Sequence, residues 1–75
     1  MTTKMIQDES SIAYRLRTAR EAKGLSQGAL ASAAKLSLNA VNKYERGHNK
    51  PRVEAAERLA VALSIAPGWL LFGTD

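Results

Sequence analysis

Twenty consecutive residues, Gln27 to Arg46, constrain this chain more than any other part of it. They divide at a tight turn, Lys35-Leu36-Ser37, into two short stretches with helical periodicity. The first stretch is rich in small residues. It turns Leu30, Ala31 and Ala34 inward, and an alanine at position 31 lets the next helix approach closely. In the second, with Val41 as the inward reference, Tyr44 falls about 60° to one side and Glu45 about 40° to the other. Asn39, Asn42, Lys43 and Arg46 fall at about 100–200°, on the outer face, with Leu38 between the two groups. The spacing therefore predicts two helices meeting at a corner, the second carrying one apolar face and one polar, basic face.

The rest of the chain supplies helices on either side. Ser10 or Ser11 can cap a first helix over 11–23, whose apolar stripe is Ile12, Leu16 and Ala19. Gly24 stops it, and Leu25 returns to the core. Arg17 and Glu21 point to water, but Arg20 lies only about 40° from the centre of the stripe and must either snorkel or find an acid. Glu45 is the one acid on an inward face before residue 53, so the two are expected to pair and to join helix 1 to helix 3. Ser26 caps helix 2, over 27–34, and Ser37 caps helix 3, over 37–46. Gly28 costs helix 2 roughly 0.5–1 kcal/mol relative to alanine. Lys35 stands where the turn is expected to need a positive φ, a position glycine fills without strain. Gly47 ends helix 3 and opens a short basic loop to Arg52. Pro51 is expected at the first position of helix 4, over 52–63, which turns Val53, Ala56, Leu59, Ala60 and Leu63 inward and carries Glu54 and Arg58 as an exposed pair. Ser64 ends it where glycine would be easier, and Ile65 returns to the core. Pro67 opens helix 5, over 67–72, in which Trp69 and Leu70 can close the core. Leu71 and Phe72 are then surplus apolar surface, for which a symmetric dimer contact is the expected use.

Composition narrows the function classes. Seventy-five residues make one domain, expected over 11–74 behind a flexible tail at 1–10. There is no cysteine and one histidine, His48, which leaves neither a disulfide nor a metal-ligand set. No signal peptide is evident, and no apolar run approaches the roughly 20 residues of a membrane span. The net charge of +4 is unevenly spread. Residues 11–52 hold nine Lys or Arg against Glu21 and Glu45, whereas residues 53–75 are net acidic. The basic excess coincides with the corner and its flanks, which points to a polyanion partner. An exposed helix face reading Asn, Asn, Lys, Arg can bond base edges and phosphates in the major groove of DNA.

Four signatures, in register over some 64 of the 75 residues, then carry a resemblance: Arg-x-x-x-Gly-Leu-Ser-Gln from Arg20 to Gln27, the small Ala31, Tyr44-Glu45-Arg46-Gly47, and Trp69-Leu70-Leu71-x-Gly73. Together they resemble the lambda-repressor-like DNA-binding domain of phage repressors and Cro proteins. The resemblance implies an all-α, compact five-helix bundle with helices 2 and 3 as the helix-turn-helix. It implies that Leu38, Asn39, Asn42 and Lys43 face bases. Ser26, Gln27, Ser37, Arg46, Lys50 and Arg52 are placed at the DNA backbone, and Arg20 and Glu45 form a structural ion pair. Lys35 and Ser64 depart from the family's usual glycines, and Gly28 from a longer residue.

The expected function is sequence-specific binding of double-stranded DNA at a pseudo-palindromic operator. The chain would be a dimeric transcriptional repressor, or the N-terminal domain of one, in the cytoplasm of a prokaryote or serving a phage. No cofactor, metal, membrane or small-molecule ligand is expected. The alternative is an antitoxin-type or other protein-binding module that uses the same fold to hold a protein partner. An enzyme is not expected, because the polar groups never converge on one site.

Overall fold

A computed structural model of the chain describes residues 11–74; the expected tail over 1–10 lies outside the described residues, as does Asp75. Among the described residues there are five helices and no strand: α1 Ile12–Ala22, α2 Gln27–Ala34, α3 Leu38–Glu45, α4 Val53–Leu63 and α5 Pro67–Phe72. The expected ranges hold for α2 and α5. Those for α1, α3 and α4 overrun by one residue wherever a cap was counted as helix.

The first three helices begin alike. The hydroxyls of Ser11, Ser26 and Ser37 each accept the backbone N–H three residues on (Tyr14, Ala29, Ala40) at 3.0 Å, a cap worth typically about 1 kcal/mol. The first four helices also end alike, in a residue of left-handed conformation at Gly24, Lys35, Gly47 and Ser64. The residue after it sends its N–H back five positions, Leu25 to Arg20, Leu36 to Ala31, His48 to Lys43 and Ile65 to Ala60, at 2.9–3.1 Å. This is the Schellman arrangement, which satisfies a carbonyl the helix end would otherwise leave open. Leu25, Leu36 and Ile65 then pack against the core. His48 stays exposed, so the corner after α3 opens outward instead of closing on the core.

The expectation of a positive φ at Lys35 is met, at φ 58°, and Ser64 adopts the same value. Helix 4 differs from expectation at its start. Its N-cap is Arg52, so Pro51 lies two residues ahead of the first helical residue and is buried there. Val53, expected inward, is 65% exposed; the first turn of α4 projects beyond the core, and the inward stripe begins at Ala56.

Leu16, Leu30, Val41, Ala56, Leu59, Leu63 and Leu70 form the buried centre together with the small Ala31 and Ala34 of α2. The principal helix contacts close into a ring: α1 on α3, α3 on α2, α2 on α4, α4 on α5, and α5 back on α1. Arg15, to which no role was assigned, is buried on α1 and donates from Nε to the Leu70 carbonyl at 3.0 Å, tying α1 to α5. Leu71, expected to be surplus, is half-buried and packs against the core beside the fully buried Leu70. Phe72 is the residue left over, at 74% exposure. No helix among the described residues is long and apolar enough to cross a membrane.

Candidate nucleic-acid interface

The site is built on α3 and on the start of α2. Its back is set by burial: Val41 is fully buried, Glu45 nearly so, and Tyr44 packs against the core. With those three side chains inward, the period of the helix turns Leu38, Asn39 and Lys43 to solvent, and all three are exposed. Asn42 is half-buried between the two faces. The four expected base-facing residues therefore share one surface. Gln27, Leu38, Asn39 and Asn42 line an open notch of about 480 Å³ where α2 begins beside α3.

Behind that surface Arg20 and Glu45 pair as expected. The guanidinium is bidentate: Nε meets Oε2 at 2.6 Å and Nη2 meets Oε1 at 3.0 Å, while Nη1 donates to the Leu25 carbonyl at 2.8 Å. The Glu45 side chain is 3% exposed and that of Arg20 13%. Hydrogen bonding to Glu45 raises the Arg20 pKa above its usual value, and burial opposes the shift without cancelling it. Because the folded pKa lies above the unfolded one, the associated stability is fully present below the arginine range and is lost only as pH rises through it. The arginine is thus a permanent charge and not a pH switch.

The same carboxylate also receives Gln27, whose Nε2 donates to Oε1 at 3.0 Å, and Asn42 Nδ2 donates in turn to Gln27 Oε1 at 3.4 Å. Sequence reasoning placed Gln27 at the DNA backbone and missed this link, since nothing in a spacing of 18 residues reports it. The expected pair of Arg58 with Glu54 forms at 2.7 Å, but the second bond of Arg58, to the Lys35 carbonyl at 3.3 Å, was missed. The corner between α2 and α3 is therefore braced from α4.

The expected backbone-facing residues flank this surface. Ser26 and Ser37 stand at the starts of α2 and α3, their oxygens engaged as caps, with each hydroxyl still able to donate outward. Arg46, Lys50 and Arg52 are exposed at the far end. Lys50 and Arg52 line a second groove, of about 700 Å³, together with His48, Arg58 and the first turn of α4, a helix with no side-chain cap. Both ends of α3 thus carry donors or cations, and its middle carries amides. Leu71 and Phe72 lie on α5, away from this surface.

Comparison with known proteins places the arrangement. Residues 16–70 match the family model described as helix-turn-helix. The chain belongs to the helix-turn-helix family. Within it, the chain is 34% identical over all 75 residues to the HTH-type transcriptional regulator DicA of Escherichia coli (strain K12), and spans 53% of that protein's length, about half of this curated relative. Among solved structures it is similar to the P22 c2 repressor protein in complex with synthetic operator 9T. The TM-score is 0.81 at 30% identity, with 85% of this chain and 97% of that chain covered. It is also similar to the restriction-modification controller protein C.AhdI from Aeromonas hydrophila, with a TM-score of 0.78 at 39% identity and the same coverage of each chain. This helix-turn-helix domain thus shares the fold of these structural relatives, with Lys35 opening the motif's turn.

Proposed function

We propose that this helix-turn-helix domain binds double-stranded DNA sequence-specifically and regulates transcription, as a dimeric repressor or the DNA-binding part of one, with α3 in the major groove. The observation that carries the reading is the α3 surface. Leu38, Asn39, Asn42 and Lys43 lie together on a helix whose opposite side is locked by Val41 and by the Glu45–Arg20 pair. A rigidly presented row of amide, apolar and cationic side chains matches the donors, acceptors and thymine methyls of base edges. On this reading Ser26, Gln27, Ser37, Arg46, Lys50 and Arg52, which flank that surface, meet the phosphates on either side. The operator complex of the P22 c2 repressor, a protein of the same fold, supports it. So does the basic balance of residues 11–52. Such a regulator would work in the cytoplasm of a prokaryote, on a two-fold-symmetric operator read by two copies.

The test is selection of bound sequences from random duplexes, followed by titration at several salt concentrations. A single enriched, two-fold-symmetric motif with affinity falling steeply as salt rises is the expected result. Asn39→Ala and Lys43→Ala should each relax preference at one position and cost about 1–3 kcal/mol. Arg52→Ala should weaken all sequences alike and lower the salt slope by about 1. Equal, sequence-blind losses in all three variants would remove the base-reading assignment. Phe72, exposed on α5, also suits a protein partner. Binding of a protein that survives loss of DNA binding in the α3 variants would favour a protein-holding module instead.

A further inference from the structure

Between the buried ion pair and the exposed face of α3 runs a chain of hydrogen bonds in which each group fixes the polarity of the next. The Glu45 carboxylate can only accept. It takes Arg20 Nε and Nη2, and its Oε1 also takes Gln27 Nε2 at 3.0 Å. Gln27 must therefore turn its nitrogen inward, which places its carbonyl oxygen on the opposite side. That oxygen can only accept as well, so Asn42 has to offer its own nitrogen, and Nδ2 donates to Gln27 Oε1 at 3.4 Å. Reversing Asn42 would set oxygen against oxygen. Reversing Gln27 with it would move the same clash onto a buried carboxylate, which is costlier still.

This leaves Asn42 with a defined outward pattern, one carbonyl oxygen and one remaining N–H, beside the notch lined with Gln27, Leu38 and Asn39. We propose that the Arg20–Glu45 pair, acting through Gln27, sets the polarity of Asn42 so that it selects adenine at one position of the bound sequence. Adenine's major-groove edge offers the N6 amine as donor and N7 as acceptor, a match for that pattern. Guanine offers two acceptors, thymine only the O4 acceptor and its methyl, and cytosine only a donor. Gln27 and Glu45 are then positioning residues: they reach the base through Asn42. The inference rests on the reading that α3 enters the major groove, and it adds which base one residue prefers and why.

The experiment compares base preference in the wild type, Gln27→Leu, Glu45→Gln and Asn42→Ala, with circular dichroism to confirm that each is folded. Asn42→Ala identifies the position by losing preference there. The wild type should prefer adenine over guanine at that position by about tenfold or more. Gln27→Leu leaves the ion pair in place, and Glu45→Gln lets the amide at 27 turn over. Both should reduce the preference to within about threefold at that position alone, whatever they do to overall affinity. A general loss of stability would instead weaken all positions together. Adenine preference undiminished in folded Gln27→Leu, or guanine preference in the wild type, overturns the proposal. A second readout needs no DNA. The Asn42 side-chain amide resonances of the free protein should shift, and their protons exchange faster, in Gln27→Leu; unchanged resonances overturn the relay. If the wild type selects no sequence at all, the DNA-binding reading fails, and the adenine assignment with it, while the amide resonances still decide the relay on their own.

Discussion

At the scale of single residues, Lys35 and Ser64 are the least comfortable in the fold. Both hold φ at 58° without being glycine, a conformation that costs an L side chain roughly 1–2 kcal/mol. Glycine removes that cost but gives the unfolded chain more freedom. Lys35→Gly should therefore stabilise the domain by about 0.5–1 kcal/mol, seen as a rise in the urea midpoint with an unchanged slope. Gly28 is the converse. A Cβ there would meet only the Ser26 hydroxyl at an ordinary 3.9 Å, so nothing in the free chain requires glycine. Gly28→Ala should stabilise by about 0.5–1 kcal/mol in thermal or urea unfolding. If a phosphate approaches the α2 backbone at this point, the same variant will bind DNA more weakly while being more stable. Residues of this kind were legible from sequence because turn stereochemistry is local. Arg15 was not: three positions after Ile12 it lies on the inward side, but a charge there reads as solvent-facing until the α5 carbonyl that receives it is known.

At the scale of elements, α3 is held by one strut more than by its own length. Eight residues make a marginal helix in isolation, and its orientation depends on Glu45 meeting Arg20 of α1. Glu45→Ala should cost about 3 kcal/mol, since it takes the carboxylate from a largely desolvated guanidinium and leaves it chiefly the Leu25 carbonyl. In a double-mutant cycle by urea unfolding, Arg20→Ala should then add far less than it costs alone. This pairing was foreseeable from helical phase, because only one inward acid was available to one inward arginine. Helix ends were foreseeable to within a cap, the serines and glycines announcing them. The start of α4 was misjudged because Pro51 satisfies two rules at once. Proline suits a first helical position, and it also suits the extended residue before a cap. Packing, which buries Pro51 and leaves Val53 outside, selects the second.

At the scale of the whole molecule, the ring of five helices leaves four large apolar residues exposed among the described residues, Leu38, Val53, Val61 and Phe72, of which Phe72 on α5 is the largest. If two copies associate through α5, Phe72→Glu should abolish the dimer in sedimentation analysis while leaving the unfolding midpoint of the monomer nearly unchanged, because an exposed side chain contributes little to the core. Specific DNA binding should weaken with it, as each copy would then hold only a half-site. Such surfaces are hard to read from sequence: Leu71 and Phe72 are neighbours of similar hydrophobicity, and only the packing of α5 decides which one is covered.

The separation between the two sides of α3 bears on how such a domain can change. Leu38, Asn39 and Lys43 are exposed and are not members of the buried core cluster, so variation at these three positions should be nearly neutral for folding, and on the proposed function new target preferences could be explored there one residue at a time. Asn42 and Gln27 do not share that freedom. They are joined to Glu45, so on the proposed function a change at either would be felt by recognition and by folding together. On the proposed function the α3 surface would thus have a fast-drifting rim around a slowly drifting centre, and lineages of such regulators would diverge in target sequence first at the rim.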